Sequence, residues 1–288
     1  MKLKLNKNTR IFKTSLTPLG LLTLAACGGG GGGGVGGGVG GGGGGGGSSI
    51  SVSNNYSVSG NAVAGPIDGA IAFVDYDEDG VLDIADEPYV YTDSNGAFSL
   101  TSTDSDAPIV VTTDSTTAGG LSVSAIDTSS DTSLTGITLK APTGSSVVSP
   151  TSTVAFDLME TNGLTEAQVA TALGLDGVSI LSFNPYASGV NADTALAVEK
   201  VASQVMTTVK AITAAAEGAG ANVQDAANEA FSALVTVVQT KTSAGQTVDL
   251  TNATDLASVE TQASSNLASA SGIDATAFNT ILDTAMES

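Results

Sequence analysis

Ala70-Ile71-Ala72-Phe73-Val74, then Asp75-Tyr76-Asp77-Glu78-Asp79-Gly80-Val81-Leu82-Asp83-Ile84-Ala85-Asp86-Glu87-Pro88, then Tyr89-Val90-Tyr91-Thr92: two β-prone runs enclose an acidic loop. The flanking runs are short, apolar and β-branched or aromatic, which reads as strands rather than helices. The loop has the alternation of a site for a hard cation. Carboxylates stand at its first, third and fifth positions (Asp75, Asp77, Asp79), Gly80 permits a sharp turn, and a further acid, Asp83, stands at the ninth. Calcium takes six to eight oxygens at about 2.3–2.6 Å, and alternate residues of a tight loop turn their oxygens inward. The carbonyl of Val81 is the expected seventh-position ligand, and either Asp86 or Glu87 completes the set. The like charges crowded into residues 75–87 would repel one another, and a divalent ion relieves that. The alternatives are a solvated acidic hairpin with no ion, or magnesium, which prefers fewer carboxylates and more retained water.

Outward from this loop the pattern persists from residue 50 to about 145. Candidate strands cover residues 50–59, 70–75, 89–92, 97–101, 109–113, 121–126 and 134–140, separated by turn clusters such as Asp93-Ser94-Asn95-Gly96. Several short strands at this spacing suggest a β-sandwich. Residues 146–288 change to helical periodicity. Ser149 is placed to cap a helix with Pro150 at its first position and Gly163 as its stop. Thr165 and Gln168 have the spacing of a capping box. Val198, Val201, Val205, Val209 and Ile212 form one helical face, and Val223, Ala227, Ala230, Leu234 and Val238 another. Two shorter helices are expected at residues 256–270 and 274–286. The Ala- and Val-rich faces read as core, so the expectation is an α+β chain, with a β-sandwich followed by an Ala-rich helical bundle.

The N-terminal part reads as an address. Lys2, Lys4, Lys7, Arg10 and Lys13 precede an apolar run from about residue 16 to residue 26. That run is shorter than the roughly 20 apolar residues a spanning helix needs, and it has the shape of a secretory signal. Residues 28–47 are eighteen Gly with Val35 and Val39. Such a segment cannot bury a core and reads as a flexible tether with a span of about 25 Å. The organisation expected is therefore a signal at 1–26, Cys27 and linker at 27–49, a β-module at 50–145 and a helical region at 146–288.

Composition excludes several function classes. The 288 residues contain no His, no Trp and a single Cys, against 29 acidic and 9 basic residues. A Ser-His-Asp triad, a His metal ligand, an intramolecular disulfide and a Cys-rich zinc site are all out of reach. The formal charge of −20 opposes nucleic-acid binding. Loss of the signal would leave four Lys (140, 200, 210 and 241) against all 29 acids, a charge of −25 that would keep the folded part off anionic lipid.

Two resemblances add to this reading. Leu24-Ala25-Ala26-Cys27 resembles the lipobox of bacterial lipoproteins. That implies diacylation of Cys27, and Gly28 in place of the inner-membrane Asp implies the outer membrane. The run from Gly65-Pro66-Ile67-Asp68-Gly69 through the acidic loop and Glu87-Pro88 to Asn95-Gly96-Ala97-Phe98-Ser99-Leu100 resembles a carboxypeptidase regulatory-like domain. It is most similar to the B-type modules of bacterial serine-aspartate-repeat surface proteins. The resemblance covers about residues 55–113 and implies a small Ig/transthyretin-like β-sandwich, a calcium-binding inter-strand loop and a structural or adhesive role without catalysis. The departure from it is the extra residue before Glu87-Pro88. Lys140-Ala141-Pro142 and Val148-Ser149-Pro150-Thr151 resemble a continuation found in some secreted proteobacterial proteins, which implies no function.

The functional expectation is a lipid-anchored, calcium-stabilised structural or adhesive module. It faces the cell surface or the periplasm, with a protein or cell-surface ligand as its possible partner. The alternatives are a lipoprotein receptor that passes a captured ligand to a membrane partner, with a cleft where sheet and helices join, and a carboxylate-based hydrolase. The hydrolase reading is disfavoured because the acids cluster where each would stay ionised.

Overall fold

The structure is a computed structural model that describes residues 55–270 and 273–286. The signal segment, Cys27 and the glycine run lie outside the described residues. Among those described, ten strands in three small sheets precede six helices, a mixed α+β architecture. The strands are β1 (Tyr56–Ala62), β2 (Ile67–Asp68), β3 (Ile71–Val74), β4 (Tyr89–Tyr91), β5 (Ala97–Ser102), β6 (Ile109–Thr112), β7 (Ala125–Asp127), β8 (Thr132–Leu134), β9 (Thr138–Ala141) and β10 (Val147–Val148). The helices are α1 (Pro150–Asn162), α2 (Glu166–Ala172), α3 (Ala192–Gly218), α4 (Val223–Ser243), α5 (Ala253–Ala270) and α6 (Ala275–Met286).

The four-stranded sheet, ordered β4-β3-β6-β9 and antiparallel throughout, positions the acidic loop. Period-2 alternation divides its side chains between two faces. Ala72, Val74, Ile109, Val111 and Leu139 join a core that continues through Val154 and Leu158 of α1 and Leu234 and Val238 of α4. Ile71, Phe73 and Val110 point the other way, into a second small cluster with Leu82 of the acidic loop and Ala118. Both faces are therefore covered, and all four residues of β3 are buried. The remaining sheets are β10-β1-β5, where β10 pairs parallel with β1, and β2-β7-β8.

The helix ends follow their caps. Ser149 Oγ accepts from the Ser152 N–H at 3.1 Å, Ser152 Oγ accepts from the Ser149 N–H at 2.8 Å, and Pro150 opens α1. Gly163, at φ 65°, closes α1. Thr165 and Gln168 form the reciprocal box of α2. α1 is fastened to the sheet as well as packed on it: the Lys140 N–H donates to Thr153 Oγ1 (3.0 Å), and Ser152 Oγ donates to the Lys140 carbonyl (2.8 Å). Val198, Val205, Val209 and Ile212 are buried on α3, and Ala227, Ala230, Leu234 and Val238 on α4, so both apolar faces form core. No helix among the described residues is long and apolar enough to cross a membrane.

Candidate functional site: an acidic cluster under the four-stranded sheet

Asp75 follows directly on β3. Its N–H donates to the Pro108 carbonyl (3.1 Å), which continues the strand's bonding by one residue and carries the side chain inside. The chain then turns sharply, with Glu78 at φ 60° and Gly80 at φ 79°. Positive φ suits Gly, and at Glu78 it strains the backbone. The turn brings the Gly80 N–H to Asp75 Oδ2 at 2.9 Å. Leu82 then drops into the small cluster on the sheet, and its N–H donates to the Thr117 carbonyl at 2.8 Å. The loop is thus pinned at its middle by an apolar side chain. Beyond it, the Asp86 and Glu87 N–H groups both donate to the Asp83 carbonyl, at 3.0 and 2.9 Å. That last turn faces Asp86 outward and Glu87 inward.

Three carboxylates converge. Asp75, Asp77 and Glu87 each offer an oxygen, and these oxygens lie within 4.8 Å of one another, a group that can hold a metal ion. Asp75 is 2 % exposed and Glu87 7 %. Glu87 accepts two backbone N–H bonds, from Tyr76 to Oε1 at 2.6 Å and from Asp83 to Oε2 at 2.9 Å, which fix its headgroup. Burial raises the pKa of Asp75, the Gly80 N–H opposes that rise, and the charges of Asp77 and Asp79 add to it. Burial likewise raises Glu87, against the Asp83 and Tyr76 N–H bonds, and the charges of Asp75 and Asp77 add to the rise.

One buried oxygen of this cluster has no hydrogen-bond partner. Asp75 Oδ1 is buried and makes no hydrogen bond. A buried acceptor left unmet costs about 1–3 kcal/mol, more when charged. A cation between Asp75, Asp77 and Glu87 would answer Oδ1 and offset the repulsion together. The donor set is all oxygen, which suits a hard cation. The residues present therefore fit a metal ion, and the fit by itself does not select calcium.

The other expected acids, Asp79, Asp83 and Asp86, are not part of this side-chain group. Asp79 Oδ1 accepts from the Val81 N–H at 2.7 Å, and Asp77 Oδ1 accepts from the Asp79 N–H at 3.4 Å, so both acids also shape the turn. Val81 is exposed at its side chain, and Asp83 and Asp86 are exposed. Of the two candidates for the closing position, Glu87 is the one brought to Asp75 and Asp77. Tyr76 was not anticipated. Besides donating its N–H to Glu87, it accepts at its hydroxyl from the Thr103 N–H (3.0 Å), so it ties the loop to the end of β5. Its place between two acids of an alternating loop was the available signal. Comparison with protein-family models, curated proteins and solved structures finds no match.

Proposed function

We propose that the chain is a non-catalytic, calcium-stabilised structural or adhesive module, lipid-anchored at Cys27 to the outer membrane and held away from it by the glycine run. The observation that carries the calcium reading is the buried, unpartnered Asp75 Oδ1 in a residue whose carboxylate converges with those of Asp77 and Glu87. Asp75, Asp77 and Glu87 would hold the ion, and the ion would supply charge neutralisation rather than chemistry. Calcium is favoured over magnesium because three protein carboxylates converge here, whereas magnesium keeps several waters and takes one or two carboxylates. In this reading the strand region is a small Ig/transthyretin-like β-sandwich of the carboxypeptidase regulatory-like kind. The acidic loop flanked by β3 and β4 supports that reading. The net charge of −20 supports a folded part that stands clear of anionic lipid and nucleic acid.

An ion that binds only the folded loop adds about 2.7 kcal/mol when it is a hundredfold above its Kd, and about 1.4 kcal/mol at tenfold. For a chain of this size that is a rise in Tm of roughly 3–10 °C. Melting the full chain in millimolar calcium and in chelator tests this, with Asp77→Asn expected to blunt the difference. Equal melting temperatures in the two conditions would leave a bare acidic loop. Metabolic palmitate labelling tests the anchor: label that persists in Cys27→Ser would defeat it.

A further inference from the structure

Beside the acidic cluster a cleft of about 530 Å³ opens where the loop after β3, the turn after β6, strand β9 and the start of α4 meet. It lies within the size range of small-molecule sites, about 300–1,000 Å³. Three groups in its wall have bonding capacity that the fold does not use: Gln224 Oε1, which is buried and makes no hydrogen bond, the Thr117 hydroxyl and the Lys140 ammonium. Thr117 is 5 % exposed, and its hydroxyl has no partner among the described residues. Only its backbone is engaged, the N–H with Asp114 Oδ1 at 3.1 Å and the carbonyl with the Leu82 N–H at 2.8 Å. Lys140 is half-buried, with no carboxylate within ion-pair distance of its ammonium among the described residues. The ring centroid of Phe156 lies 5.9 Å from it, which steadies the charge without satisfying its N–H donors. The N-terminus of α4 contributes little by itself, since Asn222 Oδ1 already accepts from the Gln224 and Asp225 N–H groups.

The chemistry of the wall narrows the ligand. Three carboxylates, Asp79, Asp114 and Asp225, line the cleft with the single ammonium of Lys140. A free anion is repelled by the carboxylates, and a polyamine offers no acceptor to the Lys140 ammonium. Hydroxyl groups satisfy both, since each accepts from an ammonium and donates to a carboxylate. Val81 and Val223 add apolar wall for the C–H face of a ring. We propose that this cleft binds a small neutral saccharide, and that an ion held by Asp75, Asp77 and Glu87 strengthens the binding. No Trp, Tyr or Phe lines the cleft, so affinity is expected in the millimolar range. The link to the ion is short. Asp79, Gly80 and Val81 form one wall, and the Gly80 N–H is bonded to Asp75 Oδ2. An ion that fixes Asp75 fixes that wall, and the coupling is reciprocal. The saccharide site stands on the cleft alone; its calcium dependence rests on the metal reading above.

The test is amide chemical-shift titration of the full chain, with and without calcium. The probes are glucose, galactose, mannose, N-acetylglucosamine, cellobiose and lactose, with citrate and spermidine as ionic comparisons. At up to about 50 mM, at least one saccharide should move the amides of Thr117, Lys140, Val223 and Asn228 together. Thr117→Val and Lys140→Met should each weaken that binding at least about fivefold, the worth of one hydrogen bond. Should either variant fail to fold, Asn228→Ala, on an exposed part of α4, takes its place with the same expectation. No response to any saccharide, or a response to citrate or spermidine alone, overturns the site. Equal saccharide affinity in calcium and in chelator, in protein that demonstrably binds calcium, overturns the coupling. Saccharide binding by protein that binds no calcium would retire the metal reading and leave the cleft standing.

Discussion

Leu82→Ala tests whether the acidic loop is seated on the sheet. Leu82 is 2 % exposed and sits with Ile71, Phe73, Val110 and Ala118 in the small cluster that covers one face of the four-stranded sheet. Buried Leu→Ala changes cost about 2–5 kcal/mol, the spread depending on how far the site collapses. Here the cluster is small, and the half-buried Leu121 and Val123 pack against it. Partial collapse is therefore available, which places the expected loss near the lower end, about 2–3 kcal/mol. In a chain of this size that lowers Tm by roughly 5–10 °C. Calcium affinity should fall as well, because the Leu82 N–H bond to the Thr117 carbonyl holds the loop between Gly80 and Asp83. Urea unfolding is the assay, with Ile84→Ala as control, since Ile84 is 44 % exposed in the same loop. The control should stay within about 0.5 kcal/mol of the native protein. A loss below that value for Leu82→Ala, or equal losses for the two variants, would refute the seated loop.

Three further outcomes are expected. Burial raises the pKa of Asp157, against the opposing charge of Lys140. A raised folded-state pKa favours the fold fully below the unfolded value near 3.8, and that contribution is lost as pH rises through the folded value. Asp157→Asn should thus raise Tm at about pH 7 while leaving it nearly unchanged at about pH 4. Gly96→Ala should cost at least about 2 kcal/mol, because a Cβ there lies 2.2 Å from the Ala62 carbonyl oxygen at φ 71°. Gly144→Ala, at φ 78° with nothing within 4 Å, should show only the left-handed strain of about 1–2 kcal/mol, and urea midpoints compare the two. Lys241 Nζ pairs with Asp255 Oδ1 at 2.5 Å, and Asp255 is 5 % exposed. Lys241→Met should cost about 1–3 kcal/mol by stranding that carboxylate, and Lys241→Met with Asp255→Leu should recover most of it.

What was legible in the sequence was local. Ser149, Pro150 and Gly163 mark the ends of α1, and Thr165 with Gln168 the start of α2, because a cap is a contact between residues three or four apart. The valine faces of α3 and α4 were legible for the same reason. β2 and β10 are two residues each and exist only through their partners, β7 and β1, so no periodicity reveals them. The run expected at residues 134–140 is divided, with Leu134 ending β8 and β9 beginning at Thr138. Gly136, at φ 69° between them, supplies the bend that separates the two. The expected strand at 121–126 shortens to Ala125–Asp127 because its first residues cover the Phe73 cluster instead. In the loop, the alternation of acids pointed to Asp75 and Asp77. It left Asp86 and Glu87 undecided, since the turn on the Asp83 carbonyl makes that choice. The cleft was out of reach, because Val81, Thr117, Lys140 and Val223 meet only through the fold.

Asp75, Asp77 and Glu87 are proposed to hold one calcium ion together. Isothermal titration of calcium into the full chain tests it most directly. One ion per chain is expected, with a Kd on the order of 10⁻⁴–10⁻³ M, as in extracellular modules, and weaker binding of magnesium. Asp75→Asn and Glu87→Gln should each abolish the binding heat. Asp86→Asn, at an exposed position outside the cluster, should leave the Kd within about twofold, the scale of a surface-charge change. No heat at millimolar calcium, or heat that survives Glu87→Gln but not Asp86→Asn, would contradict it.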